Sequence, residues 1–370
     1  MKVAIVYDRV NKWGGAERVL LALRELFPDA PLYTSVYNPK KAPWADVFNV
    51  KTSFLQKLPM ASSNHEFFPA LMPMAFESLS FDQYDLVVSV TSEAAKGIIT
   101  KPKTKHISYI LTPTRYLWSG YEEYFGNNAF KLLSKPVVKS LRIWDKIAAH
   151  RPDMLVGISE EVRERIRKYY GRESELVYPP LTISNAKYPI SNIQSKKKTT
   201  SPYPLDPRPY FLVVSRFVPY KRIDIAIEAC NRLKLPLKII GSGREEKHLR
   251  AIAGPTIEFI GKVTDEQLAA YYLNCKALIF PGVEDFGLTV IEAQNFGKPV
   301  IALRKGGAVE TIVDKKTGVF FDEQKTAALM SVLRDFDKIV FDEDAFVKQT
   351  NRFSLAVFKK EFLRVVNKIF

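Results

Sequence analysis

Short apolar runs alternate with amphipathic, helix-length segments along this chain, and the alternation starts twice. Residues 3–7 (VAIVY) offer no polar face to water, which predicts a parallel strand covered on both sides. KWGGAERVLLALRELF follows, a glycine turn and then a helix with Val19, Leu20, Leu23 and Phe27 along one face. Strand, glycine turn and helix open a doubly wound α/β domain. Strands at 86–90, 106–111 and 154–157 and helices at 138–150 and 159–170 continue it. Residues 186–209, rich in Pro, Ser and Lys, break the pattern and read as a linker. The alternation then restarts. Strands are expected at 210–215, 237–240, 257–260, 277–280 and 299–302, and helices at 223–232, 245–253, 265–274 and 288–296. Right-handed crossovers would gather these strands into a second parallel sheet. The last twenty residues form an amphipathic helix, with Phe353, Val357, Phe358, Phe362 and Val365 at helical spacing.

A length of 370 residues suits two domains of about 150 residues each. The expected division is 1–185, a linker at 186–207 and 208–351, with 352–370 packing back on the first domain. A hydrophobic share of 46% with 26% charged residues is that of a globular protein. The apolar runs are strand-length, well short of the roughly 20 residues that span a bilayer. The N-terminus reaches Asp8 and Arg9 before any apolar stretch of signal-peptide length, which gives a cytoplasmic expectation. Cys230 and Cys275 stand alone and read as two buried thiols. The net charge of +15 is spread over both halves and favours an anionic partner: nucleic acid, anionic lipid or a phosphorylated substrate. No DNA- or RNA-binding module signature appears, so nucleic acid is not an expected partner.

Candidate chemistry collects where strands end. In SRFVPYKRID, Arg216 and Lys221 lie five apart in the loop leaving a strand. Two cations there suit a diphosphate, Arg as a planar fork and Lys as a point charge; a solvated basic pair is the ordinary alternative. GSG (241–243) ends a strand and opens a helix, where glycines permit close approach to backbone N–H groups. In PGVEDFGLTVIEAQNFGKPVIA, Glu284, Asp285 and Gly287 fall between strand and helix, and Glu292 follows eight residues after Glu284. The two glutamates share a side if the helix starts early. Glu292 lies in an apolar run, where an unpartnered carboxylate is costly; a ribose diol would serve it. KGGAVE (305–310) is a further glycine loop.

Taken together these motifs resemble the family-four glycosyltransferases, retaining enzymes of the GT-B fold. SRFVPYKRID resembles the family's G/S-R-L-x-x-x-K-G-x-D, GSG its G-x-G, and EDFGLTVIEA its E-G-F-G-L-x-x-x-E-A. GGAVETIVDKKTGVFF resembles GG-x-x-E-x-I-x-D-x-x-T-G-x-L-F. GGAER, the stretch from Tyr109 to Trp118, and WDK with ISEEVRERI carry the likeness through the first half. The resemblance implies two Rossmann-like domains facing a central cleft. It implies that Arg216 and Lys221 neutralise the departing diphosphate and that Glu292 holds the ribose. Glu284, with backbone N–H groups of Phe286, Gly287 and Leu288, would position the transferred sugar and distal phosphate. Gly15 would close over the phosphates, and Gly243 and Val263 would flank the base. The implied reaction is transfer with retention from a nucleotide sugar, GDP-mannose ahead of a UDP-sugar, to a glycan or lipid-linked acceptor of cell-surface polysaccharide.

Two positions depart from the family. Relatives read Y-C-H-T-P-x-R-Y where this chain has YILTPTRY, so Leu111 takes the place of an active-site histidine. Thr112, Arg115 and Tyr116 then become the acceptor-side candidates. Asp285 replaces a glycine and adds a carboxylate near the sugar. A catalytically silent nucleotide-sugar-binding protein is the alternative that Leu111 suggests, and a nucleic-acid binder the one that charge suggests. No metal or cofactor is expected. The D-x-D pairs Asp335–Asp337 and Asp342–Asp344 lie away from the strand ends. Lys131, Lys135, Lys139, Arg142 and Lys146 recur about every four residues among apolar ones. Such a face suits an anionic membrane, placing the protein on its inner face; a solvated helix over core residues is the other reading, with Pro136 interrupting any single helix.

Overall fold

The computed structural model describes residues 1–62, 68–122, 129–183 and 209–370, with residues 129–133 as backbone alone. The linker expected over 186–207 lies outside the described residues. The chain divides into two compact units, Met1–Pro180 with Leu355–Phe370, and Leu181–Ser354.

The first unit holds a seven-stranded sheet. Its strands are β1 (Val3–Tyr7), β2 (Leu32–Thr34), β3 (Val50–Thr52), β4 (Leu86–Thr91), β5 (Lys105–Ile110), β6 (Met154–Gly157) and β7 (Glu175–Leu176). All neighbours pair parallel, in the order β3-β2-β1-β4-β5-β6-β7. β1 and β4 are covered on both faces, as their dominantly apolar character requires. β2, β3 and β7 run two or three residues, too short to leave a periodic signal.

Pro136 does not interrupt the helix around it: one helix runs Ala129–Ala148 through the proline. Pro136 lacks the N–H of one rung, which costs about 3 kcal/mol in a helix interior. The residues after it compensate by burying Val138, Leu141, Asp145 and Ala148. The C-terminal helix, Leu355–Asn367, buries Phe358 and Phe362 against Phe27 and Tyr109 of the same unit. Lys359 bonds Glu25 at 2.7 Å, and Arg364 and Lys368 converge on Glu175. Each buried Phe contributes roughly 2–3 kcal/mol.

His106 lies wholly buried in β5, its Nε2 2.8 Å from Ser89 Oγ. Burial first, then Arg172 and Arg151, hold the imidazole down at about 3, against an ordinary value of 6.5. Below pH 6.5 the unfolded chain binds a proton that the folded chain refuses. Stability therefore falls as pH drops from about 6.5 towards 3, by up to about 1.4 kcal/mol per pH unit from this group. Denaturant titrations of His106→Gln should show a flatter acid limb. An unchanged slope between pH 6 and 4 would remove His106 from the account.

The second unit holds β8 (Tyr210–Val214), β9 (Leu237–Ile240), β10 (Ile257–Gly261), β11 (Cys275–Phe280), β12 (Val300–Leu303) and β13 (Gly318–Phe321). They form a parallel six-stranded sheet in the order β10-β9-β8-β11-β12-β13. This is the doubly wound 3-2-1-4-5-6 arrangement. Two apolar clusters cover its faces, one centred on Phe211, Ile227 and Ile279, the other on Leu212, Tyr272 and Leu278. Cys230 and Cys275 are both buried and free, and burial pushes each thiol up to about 12.

Candidate functional site

In a doubly wound sheet the crossovers leave two adjacent strands in opposite directions, and their carboxyl-end loops part to leave a ligand crevice. In the second unit those strands are β8 and β11. The loops leaving them carry Arg216 with Lys221, and Glu284 with Asp285.

Backbone contact locks these loops together. A Cβ on Gly282 would come within 2.9 Å of Lys221 Cα, and one on Gly307 within 2.3 Å of Phe286 Cα. Gly307 N–H also donates to the Glu284 carbonyl at 2.9 Å. Gly243 is used in the same way: its Cβ would meet the Phe217 carbonyl oxygen at 2.4 Å. The GSG glycines thus seat one loop on the next, a role separate from the phosphate approach expected of them.

The loops place Lys221 and Glu284 in direct ion contact, with side-chain exposures of 10% and 20%. Arg216 is exposed and donates to no carboxylate among the described residues; its Nη2 donates to Tyr220 Oη at 2.9 Å. One cation therefore stands open and the other is compensated. Arg222, at the family's glycine position, adopts φ 50° and pairs with Asp224 at 2.9 Å.

The helix after β11 runs Leu288–Asn295, with Gly287 at its cap in the left-handed region, φ 88°. It does not start early enough to put both glutamates on one helical side. Glu284 precedes it, and Glu292 lies in its second turn, 4% exposed. The partner the structure gives Glu292 is Tyr272, whose phenol donates to Oε2 at 2.9 Å. Tyr272 is itself fully buried and stacks on Phe296. Phe286 is buried edge-on to Phe353, and Asp285 is half-buried. Val263 packs against the second apolar cluster, next to Thr264, which caps the helix Asp265–Asn274. Leu288 begins the helix half-buried. Sequence reasoning missed Tyr220 and Tyr272. Tyr220 adjoins Lys221, and Tyr272 follows Leu268 at helical spacing, signals too common to single them out.

In the first unit the adjacent, oppositely exiting strands are β1 and β4. Asp8 follows β1 and accepts from Thr91 Oγ1 and from the N–H groups of Ser92, Glu93, Ala94 and Ala95 at 2.7–3.1 Å. Arg9 pairs with Glu93 at 2.6 Å. Gly15 is the first residue of the helix Gly15–Leu26. Leu111 and Thr112 follow β5, and the buried Thr112 hydroxyl has no hydrogen-bond partner among the described residues. Arg115 and Tyr116 are half-buried, and burial pushes the Tyr116 phenol well above its ordinary range.

Behind them lies a buried charge network. Lys96 and Asp145, each 1% exposed, pair at 2.6 Å. Asp145 also accepts from Thr114 Oγ1, Trp118 Nε1 and Tyr170 Oη at 3.0, 2.7 and 2.9 Å. On the outer side of Trp118 the helix Ala129–Ala148 forms a groove of about 560 Å³ with Tyr121. Lys135, Lys139, Arg142 and Lys146 line it, and none has a carboxylate partner among the described residues. Ile143 and Ile147 are more than half exposed beside them. Lys131 falls among the residues described as backbone alone. The D-x-D carboxylates have other work: Asp335 bonds Lys338, Asp337 pairs with Lys276, and Asp342 caps the helix Glu343–Asn351. Among the described residues no helix is long and apolar enough to cross a membrane.

Comparison with known proteins places this geometry. Residues 195–340 match the family model described as glycosyl transferases group 1. A GDP-mannose-dependent alpha-(1-6)-phosphatidylinositol monomannoside mannosyltransferase of Mycolicibacterium smegmatis is 26% identical over 201 residues, covering 50% of this chain and 52% of that one. O-antigen chain mannosyltransferase C of Escherichia coli is 29% identical over 134 residues, covering 34% of this chain and 36% of that one. The chain spans about half the length, or less, of these curated relatives. Anabaena HepE, solved in complex with UDP, superposes with a TM-score of 0.69 over 100% of both chains at 18% identity. That likeness shows the fold alone: two parallel-sheet α/β units of the GT-B kind.

Proposed function

We propose, on the premise that residues 195–340 belong to the glycosyl transferases group 1 family, that the chain is a retaining glycosyltransferase. It moves mannose from a nucleoside-diphosphate sugar to a glycan or lipid-linked acceptor of cell-surface polysaccharide. The observation that carries this reading is the meeting of Lys221 and Glu284 where β8 and β11 end, with Arg216 in the loop that carries Lys221. A cation pair suits a diphosphate leaving group, whose charge grows as the glycosidic bond breaks. A carboxylate beside it suits sugar hydroxyls. The N–H groups of Phe286, Gly287 and Leu288 add donors at a helix mouth. Glu292, which accepts from Tyr272, is assigned the ribose, and Gly243 and Val263 the base.

In this reading the acceptor hydroxyl attacks on the face the diphosphate leaves, and a departing phosphate oxygen takes its proton. No imidazole is required, which accommodates Leu111. No metal is required either, because Arg216 and Lys221 carry the charge. GDP-mannose is favoured over a UDP-sugar by the M. smegmatis relative, named for GDP-mannose; HepE, solved with UDP, supports the rival. Thr112, Arg115 and Tyr116 serve the acceptor, and the Thr112 hydroxyl has no partner among the described residues. Melting curves with GDP-mannose, GDP, UDP-glucose and UDP test the donor. A ligand at 100 times its Kd stabilises by about 2.7 kcal/mol. No shift with any of them would sink the reading. A shift without turnover on crude lipid acceptors would favour the silent binder instead.

The uncompensated Lys135, Lys139, Arg142 and Lys146, with Ile143 and Ile147 exposed beside them, suit peripheral contact with anionic lipid at the inner face of a membrane. Each cation near such a surface contributes about 1 kcal/mol. The double variant Lys139→Glu/Lys146→Glu should lose at least about tenfold in binding to vesicles containing phosphatidylglycerol. Equal sedimentation of variant and parent with those vesicles would disprove the contact.

A further inference from the structure

Lys221 and Glu284 touch each other, so neither is idle before a ligand arrives. We propose that Glu284 acts as an internal competitor for Lys221, making the site discriminate between an intact nucleotide sugar and a bare nucleoside diphosphate. The proposal rests on the donor reading above and adds a specificity role to it.

The two cations of the site differ in availability. Arg216 is exposed and bonded only to the neutral Tyr220 phenol among the described residues. Lys221 is buried, and its charge is already balanced by a carboxylate. An arriving diphosphate meets Arg216 freely but reaches Lys221 only by displacing Glu284. Displacement leaves a partly buried carboxylate without its cation and next to new negative charge, which is unfavourable on both counts. A nucleotide sugar removes that penalty, because its hydroxyls donate to the freed carboxylate while its phosphates take the lysine. A nucleoside diphosphate has no such donors. Glu284 therefore disfavours the bare diphosphate selectively, since a ligand shifts an equilibrium only by its differential affinity for the two states. The same preference assists product release: once the sugar is gone, Glu284 recaptures Lys221.

The loops fix this exchange to side chains. Gly282 against Lys221, and the bond from Gly307 N–H to the Glu284 carbonyl, hold the backbones wherever the carboxylate points. Removing the carboxylate thus frees the lysine without dismantling the loop.

The test is calorimetric titration of GDP and of UDP into the full chain, Glu284→Gln, Glu284→Ala, Lys221→Met and the double variant Glu284→Gln/Lys221→Met. Melting temperatures are recorded for each. Whichever diphosphate binds should bind about tenfold tighter to Glu284→Gln and Glu284→Ala, a change of about 1.4 kcal/mol. Lys221→Met should bind it no tighter than the parent, and the double variant should match Lys221→Met, because the gain needs the freed ammonium. The corresponding nucleotide sugar should gain nothing from Glu284→Gln. Equal or weaker diphosphate binding by folded Glu284→Gln and Glu284→Ala overturns the proposal, as does a gain that persists in the double variant. If neither diphosphate binds any of the proteins, the donor reading itself fails and takes this inference with it.

Discussion

Glu284→Ala should lower sugar transfer by about 10²–10³-fold while the protein still folds, its melting temperature falling by no more than a few degrees as Lys221 loses its counter-charge. The activity loss follows from chemistry. A preorganised group that meets the developing charge and geometry of the transition state is worth roughly 3–4 kcal/mol in comparable sites. Glu284 is the carboxylate at the crevice between β8 and β11 that touches the buried cation Lys221. The small stability change follows from structure. The Glu284 side chain is 20% exposed, and its loop is set by backbone contacts that alanine keeps. Rates are measured with the donor identified by melting curves. Turnover near that of the parent would remove Glu284 from the site. Arg216→Ala offers the complementary result: weaker donor binding with an unchanged fold, because that side chain lies exposed.

The central strands and the ends that bear chemistry were legible for one physical reason. A strand covered on both faces is apolar along most of its length, so β1, β4, β8, β11 and β12 announce themselves. Edge elements such as β2, β3 and β7 are too short to do so. Pro136 misled because local propensity weighs one missing hydrogen bond, whereas the helix is held by the apolar residues that follow it. At the site, residue types in loops between strand and helix pointed to Arg216, Lys221 and Glu284. Their pairing did not, because it depends on which two loops the strand order makes adjacent. The Lys221–Glu284 contact and the Tyr272–Glu292 bond each join separate elements, and only the fold supplies the second member. Glu292 illustrates the limit well. Its apolar surroundings demanded a partner, but spacing could not tell a ligand hydroxyl from a tyrosine of the preceding helix.

Asp145 is the other residue whose weight only the fold reveals, and its loss should have the largest effect on stability. Asp145→Ala removes the counter-charge of Lys96 in a place where both are 1% exposed. It also strands the Trp118 indole N–H and the Tyr170 phenol, and leaves the Thr114 hydroxyl only its longer bonds to Glu93 and Lys96. Breaking one partner of a buried pair costs about 3–5 kcal/mol, because the remaining ammonium is left in a low-dielectric interior. Against a total stability of roughly 5–15 kcal/mol, such a loss brings the first unit near its limit. Lys96→Met should destabilise by a similar amount. The double variant Lys96→Met/Asp145→Ala should be more stable than the sum of the single losses requires, by at least about 1 kcal/mol, since no uncompensated charge remains. Denaturant titrations of the three proteins give the cycle directly, and strictly additive losses would refute the coupling. Under the acceptor role proposed for Arg115 and Tyr116, the same network connects stability to function. Thr114 and Trp118 flank Arg115 and Tyr116, and Asp145 anchors both ends of that stretch. Conditions mild enough to keep Asp145→Asn folded should therefore still show weakened acceptor use, with donor binding by the second unit retained. A parallel loss of donor affinity would mean that the network supports the whole fold and has no particular claim on the acceptor segment.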